Sequence, residues 1–85
     1  DWVFSSYREP GIFHYRGADL VQMLGNLWGN SADVCKGRQM PVHYSFADLK
    51  LFSVSSPIAT QCIQAVGAAM AFKLRKEKHV AITYC

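Results

Sequence analysis

The segment Tyr7-Arg8-Glu9 places a phenol, a guanidinium and a carboxylate immediately before Pro10-Gly11. An arginine there suits a phosphate group, because its planar fork donates hydrogen bonds in pairs and stays charged. Pro10 and Gly11 favour a turn, from which these side chains can point into a cleft. A surface arginine beside a tyrosine packed on the core is the alternative, and the residue types alone favour it.

A second concentration of polar groups runs from Lys36 to Tyr44, where two more cations, an amide and His43 occur in nine residues. Such a segment could close over an anionic ligand, or present His43 as an acid or base. No serine or cysteine stands at a spacing that would complete a catalytic triad with it. A lone histidine is more often structural, so the sequence does not assign His43 a catalytic role.

Hydroxyl, carbonyl and amide oxygens cluster between Ser55 and Gln61. Neutral oxygens suit a hard cation or a hydrogen-bonding heterocycle, whereas a helix N-terminus in itself favours an anion. The simpler alternative is helix capping, with Ser56 as N-cap and Pro57 at the first helical position. Each of the three segments is a weak signal when taken separately.

The elements that must position these residues follow from capping and periodicity. Residues 1–8 are expected to be the end of a helix that stops at Glu9-Pro10-Gly11. Asp19 predicts the start of a second helix, with Gln22 at the capping-box position, and Gly29-Asn30 predicts its end. Its apolar residues recur on one helical face. They are Leu20, Met23, Leu24, Leu27 and Trp28.

Residues 31–50 show no steady period and predict a long loop. A short strand at 49–54, a helix from 58 to about 75 and a strand at 79–84 complete the chain. The helix is apolar or small on nearly every side, which predicts burial within a body larger than 85 residues can supply. A helix followed by an apolar strand is half of a β-α-β unit, so the expected fold class is α/β.

Composition narrows the function classes. With 51% hydrophobic and 18% charged residues, the chain is too apolar for a disordered tail and forms at most one small domain. It contains no apolar run of the roughly 18 residues that a membrane span needs, and its first residues are not expected to act as a signal peptide. The net charge of +3 comes largely from a basic cluster at 73–78, which favours a solvated helix end over a nucleic-acid site. The three cysteines match neither a disulfide framework nor zinc-ligand spacing.

Taken together and in this order, the segments resemble the α subunits of branched-chain 2-oxo acid dehydrogenases. The resemblance rests on Tyr7 to Gly11, Gly29-Asn30, Lys36 to Tyr44 and Ser55 to Gln61, and it covers nearly the whole chain. Gln64-Ala65 and Gly67-Ala68 extend it. The related pyruvate dehydrogenase α subunits share the Tyr-Arg pair but differ in the two longer strings, which favours a branched-chain substrate.

The resemblance implies a role for each matching residue. Arg8 would hold the diphosphate of thiamine diphosphate, and Tyr7 would line the substrate end. Ser56 and Ile58 would contact the aminopyrimidine ring, and the bulk of Ile58 would keep the cofactor bent. The resemblance also replaces the anion expected from the helix terminus with a potassium site. Its ligands would be Ser55, Pro57, Thr60 and Gln61.

The resemblance further implies an oxidoreductase that decarboxylates branched-chain 2-oxo acids and transfers the acyl group to lipoamide. The expected fold is a thiamine-diphosphate-binding domain, a parallel sheet flanked by helices, of which residues 1–85 are a part. Expected partners are a β subunit in an α2β2 heterotetramer and a lipoyl-bearing core acyltransferase in the mitochondrial matrix, without nucleic acid and without a membrane span. The family's magnesium ligands follow the position of Cys85, so this segment alone is expected to be inactive.

Two departures and three alternatives accompany this interpretation. Cys35 and Ser45 stand where the family has glycine, which would distort the loop if those positions need a positive φ. A pyruvate dehydrogenase-type α subunit is the alternative within the same enzyme class. A non-catalytic remnant or interaction segment is the alternative from a different class, and a small basic binding module is a third, weaker one.

Overall fold

The computed structural model describes residues 1–85, which form a small α/β arrangement measuring 40 × 24 × 20 Å. Two short strands pair in parallel, and three α-helices and one 3-10 turn surround them. In chain order the elements are β1 (Trp2–Phe4), α1 (Pro10–Tyr15), α2 (Leu20–Trp28), the 3-10 turn Ala47–Leu49, α3 (Thr60–Leu74) and β2 (Ala81–Thr83). The α/β class expected from the sequence is therefore confirmed at this coarse level.

The sheet is centred on β1. Val3 lies opposite Ile82 of β2, and α3 connects the last part of the chain back to this parallel pair. On the other edge of β1 the Val3 N–H donates to Lys50 O at 2.9 Å, and Phe52 N–H donates to Val3 O at 2.9 Å. The strand expected at 49–54 is thus reduced to single-residue bridges at Leu51.

The prediction of a helix end at residues 1–8 is wrong. Trp2, Val3 and Phe4 are aromatic or β-branched and suit a pleated surface, and they pair with residues about eighty positions later in the chain. A helix begins at Pro10, where the expectation was a helix stop. Proline is tolerated at a first helical position because the N–H it lacks would be unpaired there.

Helix α2 agrees with its prediction in both limits. The Asp19 carboxylate accepts a hydrogen bond from Val21 N at 2.9 Å, and Gly29 closes the helix in the left-handed region at φ 66°. Of its apolar face, however, only Met23 is buried. The outer part of the face, which includes Leu24 and Leu27, remains exposed.

Helix α3 begins two residues later than predicted, and Ser56 is not its N-cap. Ala59 occupies the N-cap position with a positive φ of 68° and makes no side-chain capping bond. The Ser56 hydroxyl is instead bonded to His43. On α3 only Gln61 and Ala65 are buried, while Ile63, at 79% exposure, represents an apolar surface that no residue of this chain covers.

The core lies between β1, α1 and the chain from 44 to 54. Phe13 is its most enclosed aromatic residue, and it packs edge-on against Tyr44 at 5.3 Å between ring centroids. The other buried members of the cluster are Val3, Ala18, Met23, Phe46, Leu51 and Val54. Arg16 secures one side of this core by donating to the carbonyl oxygens of Asp1 and Leu49.

None of the helices is long and apolar enough to cross a lipid bilayer.

Candidate functional site

A cleft of about 210 Å³ separates the Tyr7-Arg8 turn from the segment that leads into α3. Six of the eight site residues expected from the sequence line it: Tyr7, Arg8, Ser55, Pro57, Ile58 and Gln61. The other two, Ser56 and Thr60, belong to the same segment but do not line the cleft. The fold therefore brings together two segments that are almost fifty residues apart in the sequence.

The Tyr7-Arg8 turn is held by a pair of hydrogen bonds from Ser6 to Glu9. Ser6 donates to the Glu9 carboxylate through its backbone N at 2.7 Å and through its hydroxyl at 3.0 Å, and Arg8 N donates to Ser6 Oγ at 3.1 Å. The Glu9 carboxylate is thereby engaged with Ser6 and forms no ion pair with Arg8. The Arg8 guanidinium, 5.6 Å from the centroid of the Tyr7 ring, is left as a positive group at the cleft that can receive an anion.

His43 lies between the two walls of the cleft, behind Tyr7 and Ser56. Its ring stacks on Tyr7 with 5.3 Å between centroids and 24° between planes. Its Nε2 is 2.8 Å from Ser56 Oγ, and its Nδ1 is 2.8 Å from the carbonyl oxygen of Pro41. His43 is buried, so these contacts are made away from solvent.

The segment from Ser55 to Gln61 presents neutral oxygens near the start of α3. The Pro57 carbonyl accepts the Thr60 hydroxyl proton at 3.0 Å, which leaves lone pairs on Thr60 Oγ1 free. Gln61 is buried, and its Nε2 donates to Tyr84 O at 2.9 Å, which leaves its Oε1 as the remaining polar atom of that amide. Hydroxyl, carbonyl and amide oxygens of this kind form a donor set that fits a potassium ion better than a transition metal.

The loop that carries His43 is organised around a buried carboxylate. Asp33 accepts hydrogen bonds from the backbone N of Cys35 and of Gly37, both at 2.8 Å, and from Asn26 Nδ2 at 3.2 Å. Burial in itself raises the pKa of Asp33, but these three hydrogen bonds outweigh it and hold the pKa below its ordinary value. Asn26 extends the network, since its Oδ1 accepts from Val42 N at 2.9 Å.

Neither of the two departures from glycine in this loop lies at a position with a positive φ. The residues with positive φ in it are Lys36, Gly37 and Val42, and neither Cys35 nor Ser45 is among them. The condition under which these residues would distort the loop, a positive φ at position 35 or 45, is therefore not met. Burial, with the Asp33 charge nearby, raises the pKa of the Cys35 thiol. A thiol of that kind stays protonated and unreactive at neutral pH.

Sequence reasoning missed part of the cleft. Ser6, Ala59 and Cys85 also line it, as does Glu9, which belongs to the expected Tyr7-Arg8-Glu9 segment but was given no role of its own. The Ser6–Glu9 hydrogen bonds could have been recognised from the sequence, because a serine followed three residues later by a glutamate is the capping-box pattern. Ala59 and Cys85 have none, since they reach the cleft only through the path of the folded chain. His43 was considered, but its serine partner lies thirteen residues away, at a separation without a recognised motif.

Comparison with known proteins identifies the family to which the chain belongs. The chain is 48% identical over 84 residues to the mitochondrial 2-oxoisovalerate dehydrogenase subunit alpha 2 of Arabidopsis thaliana, 46% identical to the corresponding human subunit, and 39% identical to that of Caenorhabditis elegans. Each alignment covers 99% of this chain but only 18% to 20% of the relative. The sequence profile described as "Dehydrogenase E1 component" matches residues 1–85, and the chain therefore belongs to the dehydrogenase E1 component family.

Proposed function

We propose that residues 1–85 form part of a thiamine-diphosphate-binding domain in the decarboxylating subunit of a branched-chain 2-oxo acid dehydrogenase. The reaction would be the oxidative decarboxylation of branched-chain 2-oxo acids, with transfer of the acyl group to lipoamide. The observation that carries the proposal is the cleft, in which Tyr7 and Arg8 face Ser55, Pro57 and Ile58. Two segments that are expected to hold one cofactor lie on opposite walls of one cavity.

Arg8 would bind the diphosphate. Its guanidinium makes no ion pair in this chain, and the carboxylate beside it is engaged by Ser6. A dianionic group entering the cleft would therefore meet an available bidentate donor and no facing free carboxylate. Tyr7 would form the adjoining wall, where its ring, held against His43, presents a flat surface to the substrate end.

Ile58 would support the middle of the cofactor. It is 84% exposed and lines the cleft, so its branched side chain is available as an apolar support for an aromatic ring. When bound, thiamine diphosphate supplies a nucleophilic carbon and an electron sink for loss of carbon dioxide. The residues of this chain would bind it, orient it and exclude water from one of its faces.

A potassium ion would be held at the start of α3 by Ser55, Pro57, Thr60 and Gln61. The support for this is the donor chemistry, neutral oxygens from hydroxyl, carbonyl and amide groups, gathered within seven residues. Such an ion would fix the backbone of the segment that carries Ser56 and Ile58. Replacing potassium by sodium at equal ionic strength should lower the melting temperature of the protein, and Ser55→Ala should remove that difference. Equal melting temperatures in the two salts for the unsubstituted protein would argue against the site.

The remaining components follow from the same proposal. The chain would act within an α2β2 heterotetramer with a β subunit, in the mitochondrial matrix, and deliver acyl groups to a lipoyl-bearing core acyltransferase. Support comes from the relatives, all named as mitochondrial 2-oxoisovalerate dehydrogenase α subunits. Magnesium ligands would come from parts of the subunit other than residues 1–85, because no cluster of three or more His, Cys, Asp or Glu side chains occurs in this chain.

The test uses the complete subunit that contains this chain, assembled with its β partner. Arg8→Ala should raise the dissociation constant for thiamine diphosphate by about 10- to 100-fold, the effect of removing a charged bidentate contact. Arg75→Ala is the matched control, because it removes the same charge at an exposed position outside the cleft and should leave the constant unchanged. Equal binding by Arg8→Ala and the unsubstituted enzyme would overturn the proposed role of the cleft.

Substrate choice separates the proposal from its alternatives. The unsubstituted enzyme should turn over 3-methyl-2-oxobutanoate with a higher kcat/KM than pyruvate. A preference for pyruvate would instead favour the pyruvate dehydrogenase type. Assembly with a β subunit without binding of thiamine diphosphate would favour the non-catalytic alternative.

A further inference from the structure

We infer that His43 is a positioning residue that locks the two walls of the cleft to each other, with the Ser56 hydroxyl serving as its anchor and not as a cofactor ligand. This inference rests on the proposed function, because it concerns how the same cleft is held ready for the cofactor. It assigns to the loop from Lys36 to Tyr44 a supporting role behind the site, in place of a lid over it.

The hydrogen bonds fix the tautomer of the neutral His43 ring. The Pro41 carbonyl oxygen can only accept, so Nδ1, 2.8 Å away, must carry the proton. In the neutral imidazole Nε2 is then an acceptor, and the Ser56 hydroxyl, also at 2.8 Å, must donate to it. The Ser56 proton therefore points at His43 and away from the cleft, in agreement with the absence of Ser56 from the lining.

The second contact of His43 reaches the opposite wall. The Tyr7 ring lies nearly parallel to the imidazole with its centroid at 5.3 Å, and Tyr7 is the neighbour of Arg8. One buried ring thus touches the turn that carries the guanidinium and the segment that carries Ile58. If the His43 ring shifts, both walls lose a contact that sets their spacing.

His43 can serve this purpose because its own backbone is held from several directions. Its N–H donates to Met40 O at 3.1 Å, and Cys35 Sγ donates to its carbonyl oxygen at 3.5 Å. The preceding residue, Val42, has a positive φ of 61° and is kept there by the bond from its N–H to Asn26. A ring mounted on such a fixed backbone can orient other groups.

The consequence for the cofactor concerns position 56. With its proton donated to His43, the Ser56 hydroxyl can only accept further hydrogen bonds, and Ser56 does not line the cleft, so a ligand in the cleft would not meet this hydroxyl directly. Removal of the hydroxyl should then weaken binding indirectly, through the mobility of the segment 55–58. An anchoring role can be distinguished from direct binding of the cofactor, because the effect of removing the Ser56 hydroxyl then depends on whether His43 is present.

A double-mutant cycle between positions 43 and 56 tests the inference in the complete subunit with its β partner. Three replacements at His43 separate its contacts: His43→Phe keeps a ring against Tyr7 but no acceptor, His43→Gln keeps an acceptor near the Nε2 position, and His43→Asn keeps a donor near the Nδ1 position. His14→Phe is the control, since His14 is an exposed histidine on α1. Two readouts are measured for each variant: the unfolding equilibrium without cofactor, and the dissociation constant for thiamine diphosphate.

His43→Phe and His43→Asn should each raise the dissociation constant by about tenfold, and His43→Gln, which keeps the acceptor for Ser56 but loses the stack on Tyr7, should raise it by only about threefold. In the Ser56→Ala background, His43→Phe should add less than about twofold, because the bond it breaks is already gone. The same non-additivity, about five- to tenfold in the unfolding equilibrium constant, should appear without cofactor. The His14→Phe control should change neither readout.

Several outcomes would overturn the inference. Additive effects of the two substitutions on unfolding would show that the His43–Ser56 bond does not hold the segments together. Coupling in unfolding with no change in the dissociation constant would show that the bond has a purely structural role. If the unsubstituted enzyme does not bind thiamine diphosphate, the proposed function fails and the positioning role fails with it, whereas the cofactor-free cycle still decides whether the bond exists.

Discussion

At the scale of single residues, the cleft depends on side chains that never face it. His43 supports Tyr7 and Ser56 from behind, and Asp33 holds the loop that carries His43. The sequence indicated Tyr7, Arg8 and Ile58 through a resemblance of contiguous strings, and each lies at the cleft. It could not indicate the roles of His43 and Asp33, because their partners are set by the folded path of the loop. The Ser6–Glu9 hydrogen bonds differ from these contacts, since both residues belong to one four-residue sequence pattern.

The buried carboxylate of Asp33 leads to a prediction about pH. Because hydrogen bonds hold its folded-state pKa below the unfolded value, its contribution to stability is present above the unfolded pKa and is lost as pH falls through the folded one. Asp33→Asn keeps the shape but can no longer accept both backbone N–H groups with a charged carboxylate. It should lower the free energy of unfolding by about 1–3 kcal/mol at pH 7. Urea titrations at several pH values measure this.

The difference between Asp33→Asn and the unsubstituted protein should shrink as pH falls below about 4, where the carboxylate of the unfolded state becomes protonated, and should be lost below the lower pKa of the folded state. Asp48→Asn is the matched control, because Asp48 is exposed in the 3-10 turn and forms no side-chain hydrogen bond. It should change stability by less than about 0.5 kcal/mol at any pH. A loss for Asp33→Asn that is the same at pH 3 and pH 7 would contradict the role given to its charge.

At the scale of elements, local patterns identified α2, most of α3 and β2, and they failed where a partner distant in sequence decides. Asp19 and Gly29 delimit α2 through their own backbone preferences. The strand β1 forms because β2 lies beside it, and the residues next to Trp2 in the sequence give no indication of this distant partner. The start of α3 was misplaced because Ser56, a good N-cap by residue type, is bonded to His43 instead. A strong local preference was overridden by one tertiary hydrogen bond.

The crossing of α2 with its following loop leads to a second prediction. A Cβ at Gly25 would lie 2.7 Å from both Ala32 C and Asp33 N, which are backbone atoms and cannot rotate away. Gly25→Ala should therefore displace the Asp33 turn and destabilise the protein by about 1–3 kcal/mol. It should do so although alanine favours helix over glycine by about 1 kcal/mol. Chemical unfolding measures the net effect.

Gly11 in α1 provides the matched comparison for Gly25. A Cβ at Gly11 meets no atom within 4 Å, and its φ is not positive, so Gly11→Ala should stabilise the protein by about 0.5–1 kcal/mol. The two substitutions add the same methyl group to a helix and are expected to have opposite signs. A stabilising Gly25→Ala would mean that the loop does not press on α2 as described.

At the scale of the whole molecule, the sequence predicted that α3 needs a larger body around it, and in the structure most of the helix is uncovered. Along α3, Ile63, Val66 and Met70 are each at least 60% exposed, and the outer face of α2 is similarly uncovered. The relatives are longer, since the chain spans only 18% to 20% of their length. Apolar faces of this extent are typical of surfaces that become buried in a larger assembly. The covering partner follows from the proposed function: other parts of the α subunit and its β partner.

This leads to the last prediction, which separates a solvent face from an interface. Val66 and Met70 lie one helical turn apart, so Val66→Lys with Met70→Lys places two charges on the uncovered side of α3. In the 85-residue chain the change should be nearly neutral, because both side chains are exposed. In the complete subunit it should abolish assembly or lower stability by several kcal/mol, because the charges would be buried without partners. Light scattering and urea unfolding measure the two effects. Ser31→Lys, at an exposed polar position, should leave assembly intact. Normal assembly of the Val66→Lys, Met70→Lys protein would mean that α3 faces solvent in the complete protein and that its apolar residues form no interface.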